Sequence, residues 1–273
     1  MDQRRMNREE GRSMERCANP KISIVIPARN EARNLEVILP ELPEVDEVVL
    51  VDGHSVDQTV EVARKVLPSI VTLTQTRRGK GNALACGFEA ACGDIIVMFD
   101  ADGSADPAEI PAFVETLVRG ADFAKGTRFH RHGGSDDITA LRRAGNAALN
   151  GLTNILYHTS FTDLCYGYNA FWRDIVPQLK LPPTAVPALA SGGFWGDGFE
   201  IETVLNCRVV AAGLKVAEVP SYERNRIFGE TNLRTFTDGV RILRTIFAEH
   251  RRYRARKESG LSGTGDVTAQ EIA

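Results

Sequence analysis

Residues 22–26 (ISIVI) form a nearly continuous β-branched run, the pattern of a strand buried on both faces. Pro27 is expected to end it, and 31–39 (EARNLEVIL) then place apolar residues at helical spacing. The unit repeats along the chain. Residues 47–52 (EVVLVD) and 69–74 (SIVTLT) read as strands separated by a helix over 56–67. A helix of small residues over 79–91 leads into a further apolar strand at 94–100 (DIIVMFD). Alternating strands and helices imply βαβ units and a mostly parallel, Rossmann-like sheet flanked by helices, the α/β class. In such sheets ligands collect beyond the carboxyl ends of the strands.

The second half is less regular. A strand is expected over 121–129, a Gly- and His-containing loop over 130–137, and a helix over 140–157. Aromatic alternation at 166–172 (YGYNAFW) suggests a strand, and the Pro-rich 177–188 a loop. A helix over 198–213 and a strand over 214–220 follow. From Phe236 a helix carries Val240, Leu243 and Phe247 on one face and runs into HRRYRARK. The expected organisation is a loose leader at 1–20, one domain at 21–235, an amphipathic basic helix at 236–257 and a disordered tail at 258–273.

Composition narrows the class. The 273 residues carry 33 Lys and Arg against 36 Asp and Glu, a net charge of −3, so no overall attraction to nucleic acid is expected. No apolar run is long enough to span a bilayer, and the first residues lack the apolar block of a signal peptide. A cytoplasmic protein is expected. Cys17, Cys86, Cys92, Cys165 and Cys207 form no CxxC pair, which favours small free thiols over a zinc site or disulfide framework.

Four loops after strands carry the unusual residues and should share one sheet edge. They are Pro27 to Glu31, Asp52 to Thr59, Arg77 to Asn82, and Asp100 to Gly103. Asp100 and Asp102, at i and i+2 where a buried strand opens into a loop, can turn toward one hard divalent cation. Either aspartate could instead cap a turn, since Asp-Gly is turn chemistry. Asp52 can accept from a base N–H or a ribose hydroxyl, or it can cap the loop that follows. Arg78-Gly79-Lys80-Gly81 puts two cations at a helix N-terminus, a candidate anion site or a solvated charge run. His54, His130 and His132 show no ligand spacing, and Trp172 and Trp195 read as packing residues.

Taken together, these segments resemble the family-2 glycosyltransferases of the GT-A fold, and particularly the dolichyl- or polyprenyl-phosphate sugar synthase branch. The resemblance continues through Gly126-Thr127-Arg128, Asp163 to Tyr168 and Arg226 to Asn232, and covers about residues 21–250 in order. It implies an inverting transfer, in one displacement, from a UDP- or GDP-linked sugar. Pro27, Arg29, Asn30, Glu31, Asp52, Lys80, Gly81 and Ala101 would hold the donor with Asp100 and Asp102, and the two aspartates would hold Mg2+ or Mn2+ on its diphosphate. For a polyprenyl phosphate acceptor, already anionic, Arg128, Arg143 and Arg226 would position the phosphate. For a hydroxyl acceptor, Asp163 or Asp197 would have to take the proton.

The sequence departs from the family at three places. His54 stands where many members have an acidic pair followed by Gly-Ser, Ser104 stands where the lipid-phosphate branch often has Gln, and no appended membrane helix is evident. A sugar-nucleotide pyrophosphorylase would want a Gly-rich Arg-Lys loop after the first strand, and a non-catalytic sugar-nucleotide binding protein would not need the metal pair. Between Arg241 and Lys257 stand seven basic residues and one acidic residue. Such a helix can lie peripherally on an anionic bilayer or pack on the domain and end in a solvated tail.

Overall fold

A computed structural model describes residues 16–186, 194–229 and 235–258. β1 (Ile22–Ala28), β2 (Glu47–Asp52), β3 (Val71–Thr74) and β4 (Ile95–Met98) are mutually parallel, in the order β3-β2-β1-β4. Between them run α1 (Ala32–Ile38), α2 (Thr59–Val66) and α3 (Lys80–Ala90). Their residues are nearly all buried in β1, β2 and β4, which is why those strands read as continuous apolar runs. α3 lies against β1 and β2, and a Cβ on Gly87 would stand 2.2 Å from Val25.

Pro27 does not end β1. The strand continues to Ala28, with Pro27 paired to Val51 of β2. The Val25 carbonyl faces β4 and accepts from Phe99 N at 3.0 Å. Pro27, two residues on, faces the same way beyond the last β4 pair, so its missing N–H breaks no ladder.

The sheet is completed by β5 (Phe123–Thr127), β7 (Asn169–Trp172) and β8 (Val216–Pro220), giving seven strands ordered β3-β2-β1-β4-β7-β5-β8. β7 is antiparallel to both neighbours, a reversal that strand patterning does not report. β6 (Gly134–Ser135) and β9 (Tyr222–Glu223) pair separately. α4 (Ile110–Val118) is an element for which no expectation was drawn above. Its buried Ile110, Phe113 and Leu117 nevertheless stand at helical spacing, and Phe113 stacks on Tyr168 at 4.4 Å. Within the expected 177–188 loop, a turn of helix, α6 (Val176–Leu179), comes first.

α5 (Ala140–Tyr157), α7 (Ile201–Ala211) and α8 (Thr235–Glu258) enclose a smaller apolar cluster of Tyr157, Phe161, Leu164, Cys207 and Ile246. The described residues begin within the segment expected as a leader. Arg16 bonds Asp122 at 2.7 Å and Asp174 at 3.1 Å and lies over Trp172, which ties residue 16 to the sheet. Residues 1–15, 230–234 and 259–273 lie outside the described residues, and with them most of the expected leader and tail and the Glu230 to Asn232 part of the last motif. All five cysteines are free thiols. Among the described residues, no helix is long and apolar enough to cross a membrane.

Candidate active site

The parallel register brings the ends of β1, β2 and β4 and the start of α3 to one edge. Asn30 sits there with φ 59°, a left-handed conformation that asparagine tolerates. Its N–H donates to Ser55 Oγ at 2.9 Å, and its Oδ1 accepts from Val56 N at 2.8 Å. Glu31 N donates to Thr59 Oγ1 at 2.9 Å, so the first loop is stitched to the second. Asp52 is buried and accepts from Ser55 N at 3.2 and 3.3 Å, the loop-capping role weighed above. Arg29 is exposed, Pro27 is partly covered, and Ala101, between the two aspartates in sequence, is buried.

Asp100 and Asp102 emerge just beyond β4. The Asp100 side chain is 37% exposed and meets Lys80 Nζ at 2.7 Å. Asp102 is half-buried; one oxygen accepts from Ser104 N at 3.0 Å and the other faces Arg226 Nη1 at 3.4 Å. A carboxylate has about four acceptor positions, so neither is saturated by these partners. Among the described residues, no three His, Cys, Asp or Glu side chains converge into a metal cage. Two accessible carboxylates without a third protein ligand suit a cation that keeps water and phosphate oxygens in its shell, as Mg2+ and Mn2+ sites do. The donor set fits that kind of ion.

Lys80 is bracketed. Opposite Asp100, Glu202 Oε1 stands 2.8 Å from the same ammonium. Burial alone would lower the Lys80 pKa, but the two carboxylates outweigh it and hold it above the ordinary lysine range. The ammonium is therefore a fixed positive charge. Glu202 was missed in the sequence. The available signal was a lone acidic residue in the first turn of α7, a helix whose first seven residues are all buried and where a carboxylate needs a partner. A Cβ on Gly167 would lie 3.2 Å from Lys80 Nζ and from Glu202 Oε1, so the bare backbone there leaves room for the trio.

The α3 N-terminus is not an open anion site. Gly81 N and Asn82 N both donate to the Asp197 carbonyl, at 2.8 and 3.1 Å. A Cβ on Gly81 would fall 1.8 Å from the Gly196 carbonyl oxygen, so only glycine permits this approach. Gly81, expected among the donor-holding residues, therefore seats the 194–198 turn and spends its N–H there. Arg78 beside it is exposed.

Both candidate bases are enclosed by arginines. Asp163 is 0% exposed and holds Arg128 bidentately, at 2.7 and 2.9 Å, while also accepting from Asn146 Nδ2 and Arg128 N. Asp197 is buried and holds Arg77 bidentately at 2.8 and 2.8 Å. Arg77 in turn donates to the carbonyls of Pro183 and Val186. In this geometry neither aspartate presents a lone pair to an acceptor, against the expectation of a base.

The three arginines assigned to an acceptor phosphate divide. Arg128 spans Asp163 and Glu223, the latter at 2.9 Å, and lies over Tyr166. Burial opposes its charge, but the two acids outweigh it and raise its pKa. It is a bridge inside the structure, not a free phosphate ligand. Arg226 binds Glu31 and the Phe228 carbonyl and reaches Asp102, so it joins the first loop to the acidic pair. Burial raises the Glu31 pKa against the pull of Arg226 and Asn34. Arg143 is exposed, 5.6 Å over the Phe129 ring, with no ion pair to any described residue. Of the three, Arg143 has its guanidinium open.

The arrangement can hold a polyanion. Lys80 supplies fixed positive charge, Asp100 and Asp102 can ligate a hard cation, and the Asn30 and Asp52 loops wall the adjacent edge. Residues 23–179 match the family model described as glycosyl transferase family 2. The dolichol-phosphate mannosyltransferase of Pyrococcus furiosus is 28% identical over 224 residues, covering 78% of this chain and 59% of that protein. This chain thus spans less than two thirds of that relative. An uncharacterized protein of Methanocaldococcus jannaschii, MJ1222, is 30% identical over 206 residues, 73% of this chain and 80% of its own length. A crystal structure of glucosyl-3-phosphoglycerate synthase from Mycobacterium tuberculosis, in complex with Mn2+, UDP and glucosyl-3-phosphoglycerate, superposes with a TM-score of 0.63. It covers 86% of this chain and 81% of the synthase at 20% identity, a likeness of fold.

Proposed function

Since this chain belongs to glycosyl transferase family 2, we propose that it transfers a sugar from a nucleoside diphosphate donor to a polyprenyl phosphate, with inversion at the anomeric carbon. In this reading the loops of Asn30 and Asp52 wall the nucleoside site and Lys80 faces the diphosphate. Mg2+ or Mn2+ held by Asp100 and Asp102 would supply positive charge where the departing diphosphate gathers negative charge. The Lys80 ammonium, fixed by Glu202, adds charge at that place without having to be reorganised during the step. Breaking the anomeric C–O bond leaves its electron pair on the diphosphate, while the acceptor oxygen forms the new bond on the opposite face.

One observation carries the choice of acceptor. The two carboxylates best placed in sequence to deprotonate a hydroxyl, Asp163 and Asp197, are each buried in a bidentate arginine pair. A phosphate oxygen is already an anion and needs no base. Arg143 is the open guanidinium best suited to such a phosphate. The Pyrococcus relative, named as a dolichol-phosphate enzyme, supports the same class of acceptor.

The test has two arms. Thermal shift with UDP- and GDP-sugars, with and without Mn2+, should reveal metal-dependent donor stabilisation that Asp102→Asn abolishes without unfolding the protein. Turnover with prenyl phosphates should then exceed turnover with soluble hydroxyl acceptors, and Arg143→Ala should raise KM for the prenyl phosphate. Donor binding in Asp102→Asn that keeps its wild-type metal dependence would end the metal assignment. Turnover confined to hydroxyl acceptors would end the acceptor assignment.

A further inference from the structure

α8 packs into the groove formed by α5 and α7 with one face only. Thr245, Ile246 and Glu249 are buried on that side, with Ile242 and Tyr253 packed partly against the same cluster. Val240, Leu243 and Phe247, the apolar stripe read from the sequence, point the other way, 51%, 38% and 47% exposed. Isolated exposed apolar residues are ordinary. Three at i, i+3 and i+7 line one helical face, and that pattern calls for an apolar partner.

The same face is cationic. Arg244, Arg251 and Arg254 are exposed and fall between or beyond the three apolar side chains on the helical wheel. The acidic residues of the helix up to Arg254 lie elsewhere: Glu249 is buried against Arg208 and Arg252, and Asp238 is half-buried. Between Val240 and Arg254 the outward face therefore carries no carboxylate. A second copy meeting this face about a two-fold axis would oppose arginine to arginine. An apolar layer beneath negatively charged headgroups matches both features, with the aliphatic stems of the arginines lying along it.

One flank of the helix, at Arg241, also reaches the turn beside the chemistry. Arg241 Nε approaches Glu200 at 4.0 Å, and Glu200 accepts from Gly196 N and Gly198 N. That turn is seated on Gly81, next to Lys80. We propose that the outward face of α8 docks this protein on an anionic lipid surface, bringing the Lys80–Asp100 edge to the bilayer. The proposal deepens the lipid-phosphate reading and rests on it for its purpose; its evidence is α8 alone.

The test is cosedimentation of the full chain with phosphatidylcholine vesicles, with and without phosphatidylglycerol. Wild type should pellet with the anionic vesicles and stay in solution with pure phosphatidylcholine, and added salt should release it. Arg244→Glu with Arg251→Glu should weaken binding at least about twenty-five-fold, from roughly fivefold per arginine at an anionic surface. Val240→Ser, Leu243→Ser and Phe247→Ser together should abolish binding while melting temperature and donor-induced thermal shift stay at wild-type values. Wild type remaining in the supernatant at low salt would overturn the proposal. So would a dimer, seen by sedimentation velocity, that the triple serine variant dissolves, because a second copy would then be the occupant. Metal-dependent transfer to prenyl phosphate in detergent, without vesicle binding, would leave the proposed reaction standing and remove the docking surface.

Discussion

Asp163→Asn separates a catalytic carboxylate from a structural one. The wild-type side chain is wholly buried and bridges Arg128 through two bonds of 2.7 and 2.9 Å. The amide is nearly isosteric but turns one acceptor into a donor facing a guanidinium, and it removes the charge that Arg128 was buried against. Glu223, at 2.9 Å, remains as the one counter-charge. Breaking a buried pair from one side costs about 3–5 kcal/mol. The retained oxygen and Glu223 put this variant at the lower end, about 3 kcal/mol. For a domain of this size that corresponds to a fall in Tm on the order of 10 °C. Urea denaturation followed by circular dichroism, with calorimetry for Tm, reads the change. The triple variant Arg128→Met, Asp163→Leu and Glu223→Gln should recover much of the loss, since apolar or neutral replacement of a whole buried ionic group is often neutral. A wild-type melting curve for Asp163→Asn, together with a fall in turnover of about a hundredfold or more, would instead mark Asp163 as a base and refute the pairing argument.

Two further predictions concern the frame of the site. Gly81→Ala places a methyl group 1.8 Å from the Gly196 carbonyl, so the 194–198 turn must shift. A loss of about 1–3 kcal/mol and a weaker donor-induced thermal shift are expected, and unchanged values for both would contradict the geometry. Glu249 supplies a pH dependence. Burial pushes its carboxyl up, but Arg208, Arg252 and the Trp195 N–H outweigh burial and hold its pKa below the usual glutamate value. Its contribution is thus complete above the unfolded-state pKa and fades as pH falls through the lower folded value. Glu249→Gln should lower Tm at neutral pH and flatten its decline below roughly pH 5; a parallel decline in both proteins would remove Glu249 from the account.

Which loops would meet was already written in the chain. The apolar runs of β1, β2 and β4 require strands buried on both faces, and right-handed connection of successive parallel strands puts Asn30, Asp52, Lys80 and Asp100 at one edge. α4 was equally available in the Ile110, Phe113 and Leu117 spacing. Periodicity reports that a face exists; it does not report what the face meets. The spacing of Val240, Leu243 and Phe247 marks a stripe, yet only packing against α5 and α7 shows that the stripe turns outward.

The same limit applies to charge. Asp163, Asp197 and Asp100 are alike in sequence, each an aspartate near a loop. Asp163 and Asp197 are closed by Arg128 and Arg77, partners 35 and 120 residues away, whereas Asp100 stays open beside Lys80. Local sequence sets the backbone that carries a carboxylate, through propensity, hydrophobic burial and turn chemistry. Whether that carboxylate is free depends on a counter-charge delivered from elsewhere in the chain, and that delivery exists only once the sheet has assembled.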